Sequence, residues 1–349
     1  MNSKGVIFSS DLELFSRVIN RIRFPLIVLV VMIHSGGALA ESPVLFALDR
    51  IMSELLPSCA VPTFFLISGY LYFIGVDALN REIYVKKMKR RVWSLLIPYL
   101  LWNSLALLPL LLKNSIALGD VKFSYLWEYR MIETVSPLGF VTLSCYPIDG
   151  PLWYVRDLIV YSFFSPVIYF FIKRAKFIFL LILAIVFFFK IWPPIFLHPN
   201  GFVFFSLGAL FALCKITPLV ESKYCGASLF CAFIICLFLQ ILCPNLYIST
   251  AYKLCSVFFA VNMFALVEKR IQKKPSKFLL SSVFFVFALH QIEIVDKIKF
   301  YLPRFFGDSL VSLITCYVLT PVLTIACCLI IFVVMQNVSP RVTKILNGR

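Results

Sequence analysis

Apolar runs of about twenty residues recur from one end of this chain to the other, and that recurrence decides what it can fold into. The hydrocarbon core of a bilayer is about 30 Å thick, and a helix needs about 20 apolar residues to cross it, because every backbone N–H and C=O must be satisfied inside the segment. Ten stretches answer to this description: 24–42, 57–76, 92–112, 151–172, 177–193, 201–214, 226–244, 249–267, 278–298 and 309–334. The fifth and sixth are the weakest, with Pro193-Pro194 between them. No polar stretch is long enough to make a soluble domain. The expectation is one all-α, polytopic membrane domain over 1–349. The 61% hydrophobic content agrees, since soluble domains hold about 45–50% apolar residues.

The charges order these segments. The net charge of +16 would suit a nucleic-acid partner, but the positive residues sit in short loops between apolar runs, so no nucleic acid is expected. With the N-terminus inside, 23 of the 33 Lys and Arg fall on one side, seven on the other and three within segments. An excess of basic residues marks cytoplasmic loops. The alternation holds loop by loop and predicts ten helices with both termini cytoplasmic, in the inner (plasma) membrane of the cell. Residues 1–23 read as a polar cytoplasmic segment without a signal-peptide core. Residues 113–150 read as one long extracytoplasmic loop, rich in aromatics, Pro and Gly, of a length that often carries function. The 11 cysteines lie mostly in apolar runs with no metal-binding spacing, so neither a metal nor a disulfide framework is expected.

Ionisable residues at membrane depth are costly and tend to be functional. They form two layers. Arg23, Arg90 and Arg91 stand at the inner edge, where their guanidinium groups suit phosphates or anionic lipid heads. Deeper lie His34 and Glu41 on the first segment, Arg156 and Asp157 on the fourth, and His290, Glu293 and Asp296 on the ninth. Arg23 and His34, eleven residues apart, share a helix face about 16 Å apart along the axis. A long ligand held by its phosphates at the inner arginines would place its far end beside His34, and the arm of coenzyme A has such a length. A neutral imidazole there suits a general base. Glu41 lies about 10 Å further on, too far to orient it. Spacing of three puts His290, Glu293 and Asp296 on roughly one face. Ser68, beside Gly69, serves either close helix packing or, less readily, as a nucleophile, with no GxSxG elbow around it. Trp153 suits an interfacial aromatic belt or a substrate platform. Arg156 and Asp157 either neutralise each other or face a cavity.

Arg23-x10-His34, "FFLISGY", "RRVWSLLIPYLLW", "PLWYVRDL", "FFSLGALFA" and "SSVFFVFALH" together, in this order, resemble the acyltransferase-3 family of bacterial membrane O-acyltransferases, which modify cell-envelope and exopolysaccharide sugars. The resemblance implies that His34 is the catalytic histidine, that Arg23 helps place the donor and that Arg91 is the first arginine of a donor-binding pair. The second would fall at position 94, which is Ser94 here, leaving Arg90 as a substitute. It also implies an acyl-CoA donor, usually acetyl-CoA, from the cytosol. The acceptor, a polysaccharide or lipid-linked sugar, would arrive near Trp153, Arg156, Asp157, His290 and Glu293. Direct transfer and an acyl-enzyme both stay open, and a transporter or flippase of an envelope precursor is the alternative reading.

Overall fold

The computed structural model describes residues 3–36, 42–118, 146–192, 197–220, 222–271, 273–307 and 309–349, with the side chains of 3–11, 110 and 112–118 left aside. Glu41 and most of the expected 113–150 loop therefore lie outside the described residues. Among the described residues the chain is helical, with no strands.

In chain order the helices are α1 (Ser3–Ser35), α2 (Pro43–Phe73), α3 (Arg81–Pro109), α4 (Gly150–Phe163), α5 (Ser165–Arg174), α6 (Lys176–Phe189), α7 (Pro199–Leu213), α8 (Lys223–Leu242), α9 (Leu246–Arg270), α10 (Lys277–Phe306), α11 (Leu310–Val338) and α12 (Pro340–Leu346). Seven are long and apolar enough to cross a bilayer: α1, α2, α3, α8, α9, α10 and α11. The pair α4 and α5, bent by 59°, makes an eighth if taken as one span. The expected fifth and sixth segments correspond to α6 and α7, which at 14 and 15 residues are about 21–23 Å long, short of the hydrocarbon thickness. Among the described residues, length and composition thus support seven spans, or eight with the bent pair, where the sequence pattern suggests ten. The polar N-terminal stretch is continuous with the first span. Helix α1 runs unbroken from Ser3, and its spanning part begins at Leu12.

The bundle closes around α1, whose Phe15, Val18, Ile19, Ile22 and Leu26 are fully buried at helical spacing. Helix α8 fully buries none of its residues and packs along α9, with Phe233 stacked on Phe259, 4.2 Å between ring centres. The tightest crossing joins α2 to α7. A Cβ on Gly69 would run into the Phe205 carbonyl oxygen, and one on Gly208 into that of Leu66. Small residues let membrane helices approach this closely, and the crossing fixes where the neighbouring Ser68 points.

One expected regularity fails. The ninth segment does not continue as a straight helix past His290. Residues 290–294 form a wide turn with non-helical backbone at Ile292 and a left-handed Glu293, φ +63°. His290 therefore does not share a face with Glu293 and Asp296. His290 is fully buried, Asp296 is exposed, and Glu293 reaches Lys297 Nζ at 3.8 Å on the protein surface.

Candidate active site

The basic end of the bundle begins with α3. Asn80 caps it, its side chain accepting the Ile83 N–H at 2.8 Å, and a run of Lys and Arg fills the first turns. Lys86, Lys87, Lys89, Arg90 and Arg91 line a groove of about 860 Å³ in which Glu82 is the one acid. The groove adjoins a narrower cavity of about 240 Å³, lined by Arg23, Ser68, Arg91, Tyr154 and Phe287 among others. Arg91 belongs to both, whereas Arg90 borders only the groove. Arg91 lies over the Tyr72 ring, 5.3 Å from its centre, a cation–π contact that holds it in place. Ser94 also lines the groove.

Ser68 Oγ is 2.9 Å from Tyr154 Oη, which also lies 3.2 Å from the Phe64 carbonyl. A carbonyl can only accept, so Tyr154 donates to Phe64 and Ser68 donates to Tyr154. A serine engaged with a phenol, rather than with an imidazole or carboxylate, has no base to activate it as a nucleophile.

Phe287 links this cavity to two histidines. Its ring centre is 6.3 Å from that of His290, which is 5.1 Å from that of His34. His290 Nδ1 is 2.7 Å from the Phe287 carbonyl. That contact requires the proton on Nδ1 and leaves a lone pair on Nε2. This Nε2 is buried and has no hydrogen-bond partner. His34 occupies the last turn of α1, where Lys299 Nζ donates to the Gly36 carbonyl at 2.6 Å and to that of His34 at 3.4 Å. A cation at a helix C-terminus satisfies carbonyls that lack helical partners.

Beyond the histidines lies a second cavity of about 370 Å³, lined by Glu54, Tyr146, Trp153, His198, Asn200 and Lys253, and by Ile33, the residue before His34. The wall between the two cavities is aromatic. Phe64 and Tyr154 face one, Phe65 and Trp153 face the other, and the Phe65 ring touches both Tyr154 and Trp153.

Arg156 and Asp157 line neither cavity. Both are fully buried, with Arg156 Nε and Nη2 donating to Asp157 Oδ1 at 3.0 and 2.8 Å. Asp157 Oδ2 accepts the His198 backbone N–H at 3.0 Å and faces His198 Nδ1 at 3.2 Å. An acceptor-only carboxylate at Nδ1 places that proton there and leaves Nε2 as an acceptor. The His198 ring packs on Trp153, with centroids 4.0 Å apart. Of the two expectations for this pair, mutual neutralisation is the arrangement found, and Asp157 connects it to His198, which lines the second cavity. That residue escapes notice in the sequence because it sits in a short interruption beside two prolines. Its one local signal is its place before Pro199 at the start of α7. Glu293 borders neither cavity.

Among the described residues no group of three or more His, Cys, Asp or Glu is placed to hold a metal ion. No curated protein and no solved structure matches the chain. The acyltransferase-3 family model, described as an acyltransferase domain, matches residues 17–334, nearly the whole length. The matched span contains Arg23, the histidine pair and both cavities' principal walls, and the chain belongs to the acyltransferase-3 family of membrane proteins.

Proposed function

We propose that this protein is a membrane O-acyltransferase that moves an acyl group, most simply acetyl, from cytosolic acyl-CoA to a hydroxyl of a cell-envelope or exopolysaccharide sugar. The observation that carries this reading is the sequence of environments along one path. A basic groove leads through Arg91 to the cavity of Arg23, whose Phe287 touches His290 and through it His34, two histidines that line neither cavity themselves, with an aromatic cavity on the other side. The phosphates of coenzyme A occupy the groove, with both termini on the cytoplasmic side, and the thioester reaches His34. Trp153 supplies a flat apolar face for a sugar ring, and His198, Asn200 and Glu54 supply acceptors and donors for its hydroxyls.

In the reaction the acceptor oxygen attacks the thioester carbon while His34 takes the hydroxyl proton. The tetrahedral intermediate collapses, the C–S bond breaks, and the proton passes from His34 to the leaving sulfur of coenzyme A. His290, its ring centre 5.1 Å from that of His34 and its Nε2 lone pair engaged by no described residue, is the neighbour toward which the other N–H of His34 turns in this reaction, fixing which nitrogen acts as the base. This pairing gives His290 a role beside the base rather than in contact with the acceptor.

The test is acyl-CoA turnover by purified protein, wild type beside His34→Ala, with melting curves for both. Positioned general bases contribute about 10²–10⁴-fold, and a loss of that size in a variant that melts like the wild type is the expected result. Full turnover in the variant would remove His34 from the mechanism. Absence of turnover and of any acyl-CoA effect on the wild-type melt would favour a transporter of an envelope precursor.

A further inference from the structure

The tail that follows α12 turns back into the bundle. Thr343 and Leu346 are buried, and Trp102 Nε1 donates to the Leu346 carbonyl at 3.0 Å. Gly348 has φ +68° and passes so close to Ser94 that a Cβ would run into the Ser94 backbone. Both the conformation and the fit call for glycine. This approach puts Gly348 in the lining of the large basic groove, and Asn347 and Arg349 in that of the narrower cavity. Arg349 Nη2 donates to the Leu280 carbonyl at 3.3 Å, at the cavity's exposed rim.

Three guanidinium groups gather at this place. Arg23, Arg91 and Arg349 converge on a space of about 240 Å³ whose lining includes no Asp or Glu. Among the described residues no carboxylate pairs with any of the three, although other cations near the same end of the bundle find one: Arg17 and Arg21 pair with Glu268, and Lys215 with Asp77. Like charges held around one cavity repel, and an anion among them offsets the repulsion. Guanidinium groups match phosphate oxygens with paired N–H donors. Asn347 adds a second feature: its side-chain Oδ1 is buried and without a partner, which is costly unless a donor arrives. Neither residue lies within the family match, which ends at 334.

We propose that Arg349, brought into the cavity by the turn at Gly348, is a third phosphate-binding guanidinium of the donor site, with Asn347 as an acceptor for an N–H or O–H of the same ligand. This rests on the coenzyme A reading above. The tail is then part of the binding wall, and Gly348 is the positioning residue that sets its path.

The experiment is equilibrium binding of coenzyme A to the full chain in neutral detergent, with wild type, Arg349→Gln, Arg349→Lys, Gly348→Val and, as a control, the exposed Arg341→Gln. Arg349→Gln is expected to weaken binding about tenfold, as loss of a charged hydrogen bond does, and to flatten its dependence on salt. Arg349→Lys recovers part of the affinity. Gly348→Val reproduces the loss by displacing the tail, and Arg341→Gln binds as the wild type does. Wild-type binding that Arg349→Gln leaves unchanged overturns this inference and leaves the donor reading standing. No binding by the wild type overturns both. A final arm adds phosphatidylglycerol. Lipid competition that Arg349→Gln abolishes, with coenzyme A affinity untouched, would assign the guanidinium to a lipid head group and overturn the proposal.

Discussion

The cavity of Arg23 and Arg91 and the cavity of Trp153 and His198 share one aromatic wall, yet their polar groups are treated in opposite ways. Behind the Trp153 side, whose own lining includes Glu54 and Lys253, a buried charged pair is satisfied within the protein. Arg156 rests on Asp157, and Asp157 in turn holds His198 by backbone and ring. On the Arg23 side, among the described residues, Arg23, Arg91 and Arg349 line the cavity with no Asp or Glu beside them. Polar groups paired inside the fold serve geometry, because they hold a ring or a backbone in one orientation. Charges left unpaired serve a ligand, because their interaction energy stays available until one arrives. Under the proposed function, the two cavities divide the work of positioning a neutral polyol and of binding a polyanion.

The largest effect should come from breaking the paired side. Asp157→Ala removes the carboxylate from a buried guanidinium, a change worth about 3–5 kcal/mol of stability, and the melting temperature should collapse. Arg91→Gln, on the unpaired side, should leave the melt unchanged. If both variants melted alike, the contrast between paired and unpaired charge would be lost.

Arg91→Gln acts on the ligand instead. Charged hydrogen bonds contribute about 1.5–3 kcal/mol, so the KM for acyl-CoA should rise about ten- to hundredfold, with the KM for the acceptor unmoved. Initial-rate kinetics with each substrate varied in turn would show it. Trp153→Ala should do the reverse and more weakly. Aromatic stacking is worth about 0.5–1.5 kcal/mol, so the acceptor KM should rise about two- to tenfold while acyl-CoA hydrolysis without acceptor is preserved. A rise in the acyl-CoA KM in this variant would mean that the aromatic wall does not separate two sites.

The smallest effect concerns Asp149, at the entrance to α4. It is buried, and among the described residues neither carboxylate oxygen has a hydrogen-bond partner. Burial pushes its carboxyl well above the usual range. A group with its folded pKa raised favours folding at pH below its unfolded value, near 3.9, and loses that contribution as pH rises through the folded value. Asp149→Asn should therefore melt like the wild type in acid and above it by a few degrees at neutral pH or higher. Identical melting curves at pH 8 would mean that the carboxylate is solvated there.

Much of this protein was legible from its pattern of apolar runs. Hydropathy and helix period are local properties, and the cost of leaving backbone groups unpaired in hydrocarbon acts on each segment separately. The all-helical membrane class follows from that alone, as do the separate basic and polar layers. The acyltransferase family followed from short stretches in a fixed order. The count of spans was less legible, since α6 and α7 are apolar but short, and apolarity by itself does not say whether a helix crosses or only packs. The bend at 290–294 had no proline or glycine to announce it.

What the tertiary structure decided is which distant residues meet. His34 and His290 stand on helices at opposite ends of the chain, and only packing brings their rings to 5.1 Å. His198 becomes notable only when the Asp157 carboxylate is found beside it, and Arg349 only when the tail folds back past Ser94. Each of these contacts depends on how helices cross, as at Gly69 and Gly208, and a crossing is a property of two segments together. Sequence decided that this chain enters a membrane as helices bearing a histidine and arginines at chosen depths. The packing of those helices decided that the arginines share one cavity, that the histidines form a pair and that a second cavity lies on the far side of an aromatic wall.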